Sequence, residues 1–120
     1  MKVAIVGSRH FPEMDRVQEY VRGLPDGTTI VTGGASGVDA AAGEVARERN
    51  LGLIQLRPRF EEGTDPGASS RRNQELIDAA DVVVAFWDGQ STGTRGTVDR
   101  AIASGREVHV FVPREASAES

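Results

Sequence analysis

Cysteine is absent from the chain, which excludes both a disulfide framework and a thiolate nucleophile. Histidine is scarce, and His10 and His109 lie too far apart to suggest a metal site. Lys2 is the only lysine, so no G-K-[ST] triplet exists and a P-loop is ruled out. No apolar run approaches the ~18 to 20 residues of a membrane span. The start, MKVAIVGSRHF, has neither the long apolar stretch nor the cleavage site of a secretory signal. A cytoplasmic protein without membrane association is expected. Aromatic residues make up 5% of the chain, too few for an aromatic-basic stripe. The formal net charge of −4 points the same way. On these grounds nucleic acid is not expected as a partner.

What is present is an alternation. KVAIVG (2 to 7), TTIVTGG (28 to 34), GLIQLR (52 to 57), DVVVAFW (81 to 87) and EVHVFV (107 to 112) read as strands. Between them, apolar residues recur at helical spacing: Met14, Val17, Val21 and Leu24, then Ala41, Val45 and Ala46, then Leu76, Ile77 and Ala80, then Val98, Ala101 and Ile102. Pro12 suits the start of the first helix. The first and fourth strands are apolar on both faces, as central strands of a parallel sheet must be when helices cover both sides. Right-handed crossovers then predict an α/β, Rossmann-like, doubly wound parallel sheet of five strands in the order 3-2-1-4-5, with helices on both faces. One domain over residues 1 to 112 is expected, with a disordered tail over 113 to 120.

In such a fold every strand-to-helix turn lies on one edge of the sheet, where ligands bind. The unusual residues collect in those turns. Gly7, Ser8 and Arg9 follow the first strand; Gly33, Gly34, Ser36, Gly37 and Asp39 follow the second; Asp88, Gly89, Ser91, Thr92, Gly93 and Thr94 follow the fourth. Glycine, serine and threonine there expose N–H groups and hydroxyls to a ligand at a helix N-terminus. They are equally the residues of ordinary tight turns and N-caps. The segment GGASG does not fit G-x-G-x-x-G, because Ala35 and Val38 stand where glycines are needed.

Charge placement adds a second signal. Arginine near a helix N-terminus is unfavourable by ~0.3 to 1 kcal/mol unless an anion joins it. Yet SSRRNQE opens the third helix with Arg71, Arg72 and Asn73, and Arg95 lies in the first turn of the fourth. With Arg9 these form a candidate anion site, although 13 arginines in a chain with one lysine also reflect composition. Asp39 either caps the first turn of the second helix or accepts the hydroxyls of a ribose. The glycines Gly33, Gly34 and Gly37 would then let a sugar or base approach the backbone, with phosphate nearer Ser91 to Thr94 and the arginines.

Taken in order, VGSRHF, VTGGASGVDAAAGEVA and GASSRRNQELIDAADVVVAFWDGQSTGT resemble a small stand-alone member of the SLOG superfamily. That superfamily groups Rossmann-like domains similar to the DNA-processing protein Smf/DprA and to the Lonely-guy (LOG) enzymes. The resemblance covers about residues 3 to 112. It implies binding of a nucleotide or nucleotide-derived ligand, as a sensor or carrier or as an enzyme cleaving an N-glycosidic bond. LOG enzymes pair an arginine with a glutamate; Arg72 matches the arginine and Gly93-Thr94 a neighbouring Gly-Thr, but the glutamate position holds Thr97. Threonine cannot supply a carboxylate.

Three readings follow. The first is a binding module for a nucleotide-derived small molecule, without a metal or other cofactor, in a chain that can form a homo-oligomer. The second is an N-glycosidic hydrolase or transferase in which Asp39, Asp88 or Glu75 replaces the missing glutamate. The third, from the similarity to DprA, is single-stranded DNA binding, with Phe11, Tyr20, Phe60 and Trp87 as candidate stacking rings and Trp87 more readily a core residue. The loop PRFEEGTDPGA (58 to 68) enters the same edge and is either a candidate cover for the ligand or a plain solvated loop.

Overall fold

The computed structural model describes residues 1–34, 36–56 and 68–114, and of residues 68–70 the backbone alone. The candidate cover at 58 to 68 falls almost wholly, and Phe60 and the tail from 115 onward wholly, outside the described residues. The elements run β1 (Lys2–Gly7), α1 (Met14–Arg22), β2 (Thr29–Thr32), α2 (Val38–Glu48), β3 (Gly52–Gln55), α3 (Ala68–Ala79), β4 (Val82–Phe86), α4 (Thr92–Ala103) and β5 (Glu107–Phe111). All five strands are parallel, in the order β3-β2-β1-β4-β5. This is the doubly wound α/β sheet expected from the alternation.

β1 and β4 lie at its centre and pair from Val3 with Val82 to Gly7 with Phe86. Because successive side chains point to opposite faces, each central strand feeds two cores. Val3, Ile5, Val84 and Phe86 pack with Val17, Val21, Val38 and Val45 under α1 and α2. Ala4, Val6, Val83 and Ala85 pack with Leu76, Ile77, Ala80 and Ala101 under α3 and α4. Burying a Val, Leu, Ile or Phe side chain contributes about 1.5 to 3 kcal/mol, so these two layers supply the driving force that holds the turns in place. Among the described residues no helix is long and apolar enough to cross a membrane.

Two expectations are corrected. Ile102 does not join the core: it is 61% exposed on α4, because β5 is the outermost strand among the described residues and none of them covers it. The first helix starts at Met14 rather than at Pro12, with Glu13 as its N-cap residue and no side-chain capping bond. Glu13 instead pairs with Arg16 at 2.7 Å. That arginine also donates to the carbonyl of Val112 at 2.6 Å, tying α1 to the end of β5.

Arginines also close helix C-termini. The last carbonyls of a helix have no intrahelical donor. The Arg49 guanidinium donates to the carbonyls of Arg22 at 2.9 Å and Leu24 at 2.6 Å, and pairs with Asp26 at 2.6 Å. Arg106 does the same at the end of α3, donating to the Ile77 carbonyl at 3.0 Å.

Candidate functional site at the carboxyl edge

The topology brings the turns after β1, β2 and β4 and the first turns of α3 to one edge, with the switch point between β1 and β4. A cavity of about 470 Å³ opens there. Val6, Gly7 and Leu76 form its apolar floor, Arg9 and His10 come from the turn after β1, and Ser36 and Asp39 from the start of α2. Arg72 and Asn73 enter from α3, and Ser91, Gly93, Thr94 and Thr97 from α4.

The wall at α4 is built by its own hydrogen bonds. The Asp88 carboxylate accepts from the backbone N–H groups of Ser91 at 2.8 Å and Gln90 at 2.9 Å, which folds the turn. These bonds, that from Ser91 foremost, hold the Asp88 carboxyl below its ordinary range. Ser8, buried at the end of β1, accepts from the Asp88 N–H at 3.1 Å. Its hydroxyl meets that of Thr94 at 3.4 Å, which meets that of Ser91 at 3.3 Å. Ser91 caps α4 by accepting from the Thr94 N–H. Trp87 donates its indole N–H to the Ser91 carbonyl at 2.9 Å. The result is a capped helix N-terminus whose residues Gly93 and Thr94 line the cavity.

The glycines after β2 answer to the protein's own groups. A side chain on Gly33 would collide with the Arg72 guanidinium, and its Cβ would stand 3.0 Å from Asp39 Oδ2. Arg72 therefore lies across bare backbone, its Nε donating to Asn73 Oδ1 at 2.9 Å. Gly37 has φ +81°, and a Cβ there would lie 2.5 Å from the Arg9 carbonyl oxygen. The bare backbone is thus filled by arginine contacts, and neither glycine lines the cavity. Asp39 is 8% exposed and lines it, whereas the N-cap position of α2 belongs to Gly37.

Of the other residues singled out from the sequence, Gly34, Thr92, Gly89 and Arg95 lie at the edge without lining the cavity. Gly89 supplies a positive φ of 87° to the turn. Arg95 is exposed and faces Asp99 at 3.9 Å, one turn along α4. Phe11 and Tyr20 join Phe86 and Phe111 in a ring cluster on the α1 side of the sheet, so they do not face the cavity. Four lining residues were not singled out as ligand contacts: Val6, His10, Leu76 and Thr97. Helical spacing from Arg72 and Thr94 points to Leu76 and Thr97. Thr97 is buried, and its hydroxyl donates to the Gly93 carbonyl at 3.1 Å.

The arrangement is suited to an anion with polar, neutral edges. Arg9 and Arg72 bring positive charge, His10 an imidazole and α4 the positive end of its dipole, while Asp39 is the one carboxylate among the lining residues. Within the described residues, no cluster of histidine and acidic groups could hold a metal ion.

No protein-family model matches the chain, and none of the curated proteins does. Solved structures do. DNA processing protein A (DprA) from Streptococcus pneumoniae superposes with a TM-score of 0.77 at 25% identity, over 91% of this chain and 49% of that one. DprA from Helicobacter pylori, described for its single-stranded DNA binding mode, gives 0.76 at 25% identity, over 92% of this chain and 64% of that one. The chain therefore spans about half to two thirds of the length of these neighbours. The expectation that nucleic acid is no partner is overturned by this likeness to DNA processing proteins, one of them a single-stranded DNA binder. It rested on a net charge summed over the whole chain, which says nothing of the local balance at the cavity, where Arg9 and Arg72 stand against one lining carboxylate, Asp39. Of the three readings, the likeness matches single-stranded DNA binding more than a small-molecule function. The chain has the DprA/SLOG-like Rossmann fold.

Proposed function

We propose that the carboxyl-edge cavity binds single-stranded DNA, receiving one nucleotide unit of the strand. The observation that carries this is the placement of Arg72. Its guanidinium is laid on bare backbone at Gly33, inside a cavity that also holds the N-terminus of α4. A guanidinium and the positive end of a helix converging on one space are the parts of a phosphate site. Asp39 repels phosphate and accepts donors, so it faces the sugar or the base, and the phosphate sits toward Gly93 and Thr94. A volume of about 470 Å³ is that of an ordinary small-ligand site, enough for one unit and not for a stack of several. The single-stranded DNA binding described for the H. pylori neighbour supports the same reading.

Fluorescence anisotropy with a labelled oligothymidylate at low salt tests it. Binding should weaken with added salt, as counterion release requires. Arg72→Ala should weaken it on the order of tenfold to a hundredfold, the worth of a charge-assisted contact of ~1.5 to 3 kcal/mol. An affinity indifferent to Arg72→Ala would remove the cavity from the binding surface.

A second reading, a free nucleotide as ligand, is favoured by the buried Asp39 carboxylate, which suits the hydroxyls of a single sugar. Thermal shifts separate the two. A mononucleotide that raises the melting temperature while oligothymidylate does not would select the free ligand.

A further inference from the structure

β5 is an outer strand, and among the described residues nothing pairs with its far side. In a parallel pair each residue sends its N–H and C=O to the same side, and the side alternates along the strand. The Phe111 carbonyl accepts from the Trp87 N–H at 2.8 Å. Phe111, His109 and Glu107 therefore address β4, and Val108 and Val110 turn their N–H and C=O outward. Side chains alternate too. Val108 packs with the α3 and α4 layer and Phe111 with the α1 layer, so Val110 shares the α4 face, and Glu107 and His109 share the other.

EVHVF contains neither proline nor lysine, two residues that commonly blunt such an edge. The edge is flanked by apolar surface: Val110 is 43% exposed, and Ile102, on the helix that packs against β5, is 61% exposed. Glu107 and His109 lie 2.7 Å apart on the opposite face.

We infer that β5 pairs antiparallel with β5 of a second copy of this chain, about a two-fold axis at Val108. Glu107, a carboxylate, and His109, an imidazole that can donate to it, select both occupant and register. Outward backbone groups at Val108 and Val110 allow two-fold axes at Val108, His109 or Val110. An axis at His109 sets that residue against itself and Glu107 against Phe111. An axis at Val110 sets His109 against Phe111. The axis at Val108 alone places Glu107 of each protomer opposite His109 of its partner, twice, at non-hydrogen-bonded positions where side chains approach most closely. Backbone groups fit the same register. Val108 exchanges both of its bonds with its symmetry mate, and the Val110 N–H reaches the partner's Arg106 carbonyl. The Arg106 N–H is not needed, being already bonded to the Ala101 carbonyl at 3.1 Å. The surface is self-complementary, as an isologous interface must be. The pairing would join two sheets into one of ten strands.

Sedimentation velocity of the full chain, from low to high micromolar concentration and without DNA, tests this independently of the cavity. A dimer that dissociates on dilution is expected. Val108→Pro should raise the dissociation constant on the order of tenfold or more, because it removes both N–H donors at the axis. The fold should survive, since that N–H is not used in the protein's own sheet. Circular dichroism and the melting temperature check this. Glu107→His and His109→Glu should each weaken the dimer, and the double exchange should restore it. A chain monomeric throughout, a dimer indifferent to Val108→Pro, or a double exchange no tighter than the single ones would overturn the proposal.

Discussion

The Arg72 guanidinium occupies the space that a side chain on Gly33 would need. The two residues come from different elements, α3 and the end of β2, so the contact fixes where the arginine stands in the cavity. Gly33→Ala should displace it. The obstructing atoms are the end of a flexible side chain, and Gly33 is not among the positive-φ glycines, so the melting temperature should change little. DNA affinity should nevertheless fall about as far as in Arg72→Ala, with no further loss in the double variant. An affinity kept by Gly33→Ala would mean that Arg72 acts from another position.

Gly37→Ala should behave in the opposite way. Its φ of +81° strains any side chain, and the obstruction is the Arg9 carbonyl, 2.5 Å from the added carbon and part of the backbone. Left-handed strain costs about 1 to 3 kcal/mol, and the clash adds to it. Urea unfolding should show at least that loss, through a lower midpoint and an unchanged slope.

Arg49→Ala separates the structural arginines from those of the site. Arg49 holds the carbonyls that end α1, follows the C-terminus of α2, whose start is at the cavity, and does not line it. Removing it should cost about 2 to 3 kcal/mol of stability, the scale of lost hydrogen bonds to a charged group. The anisotropy titration should be unchanged.

Asp88 gives a pH prediction. Its carboxyl is held below the ordinary range by the N–H groups of Ser91 and Gln90. A depressed carboxylate contributes stability that is present above its unfolded pKa, about 3.9, and lost as the pH falls through the lower folded value. The melting temperature of the parent should therefore drop on acidification below that range more steeply than that of Asp88→Ala. Parallel curves would mean that the turn is held by other groups.

The sheet order was legible because β1 and β4 are apolar at consecutive positions, as a strand covered on both faces is, and because helical patterns alternate with the strands throughout. The carboxyl edge was legible for a related reason: glycine, serine and threonine gather in the turns that this topology places together. The use of the glycines was not. Local sequence records that the backbone at Gly33 is bare, but the group that fills the space stands on α3, and no periodicity links the two. Ile102 misled because helical spacing identifies a face without saying where the sheet ends. The net charge misled for a similar reason, since a sum over the chain has no direction.

The lack of cysteine acquires a practical meaning once the edges of the sheet are told apart. Ser104 ends α4 on the rim opposite the cavity and is exposed. Ser104→Cys would give a chain with one thiol, close in size to the hydroxyl it replaces. A fluorophore coupled there would report tumbling and assembly without standing in the path of an arriving strand. Two such labels would report by energy transfer whether protomers meet.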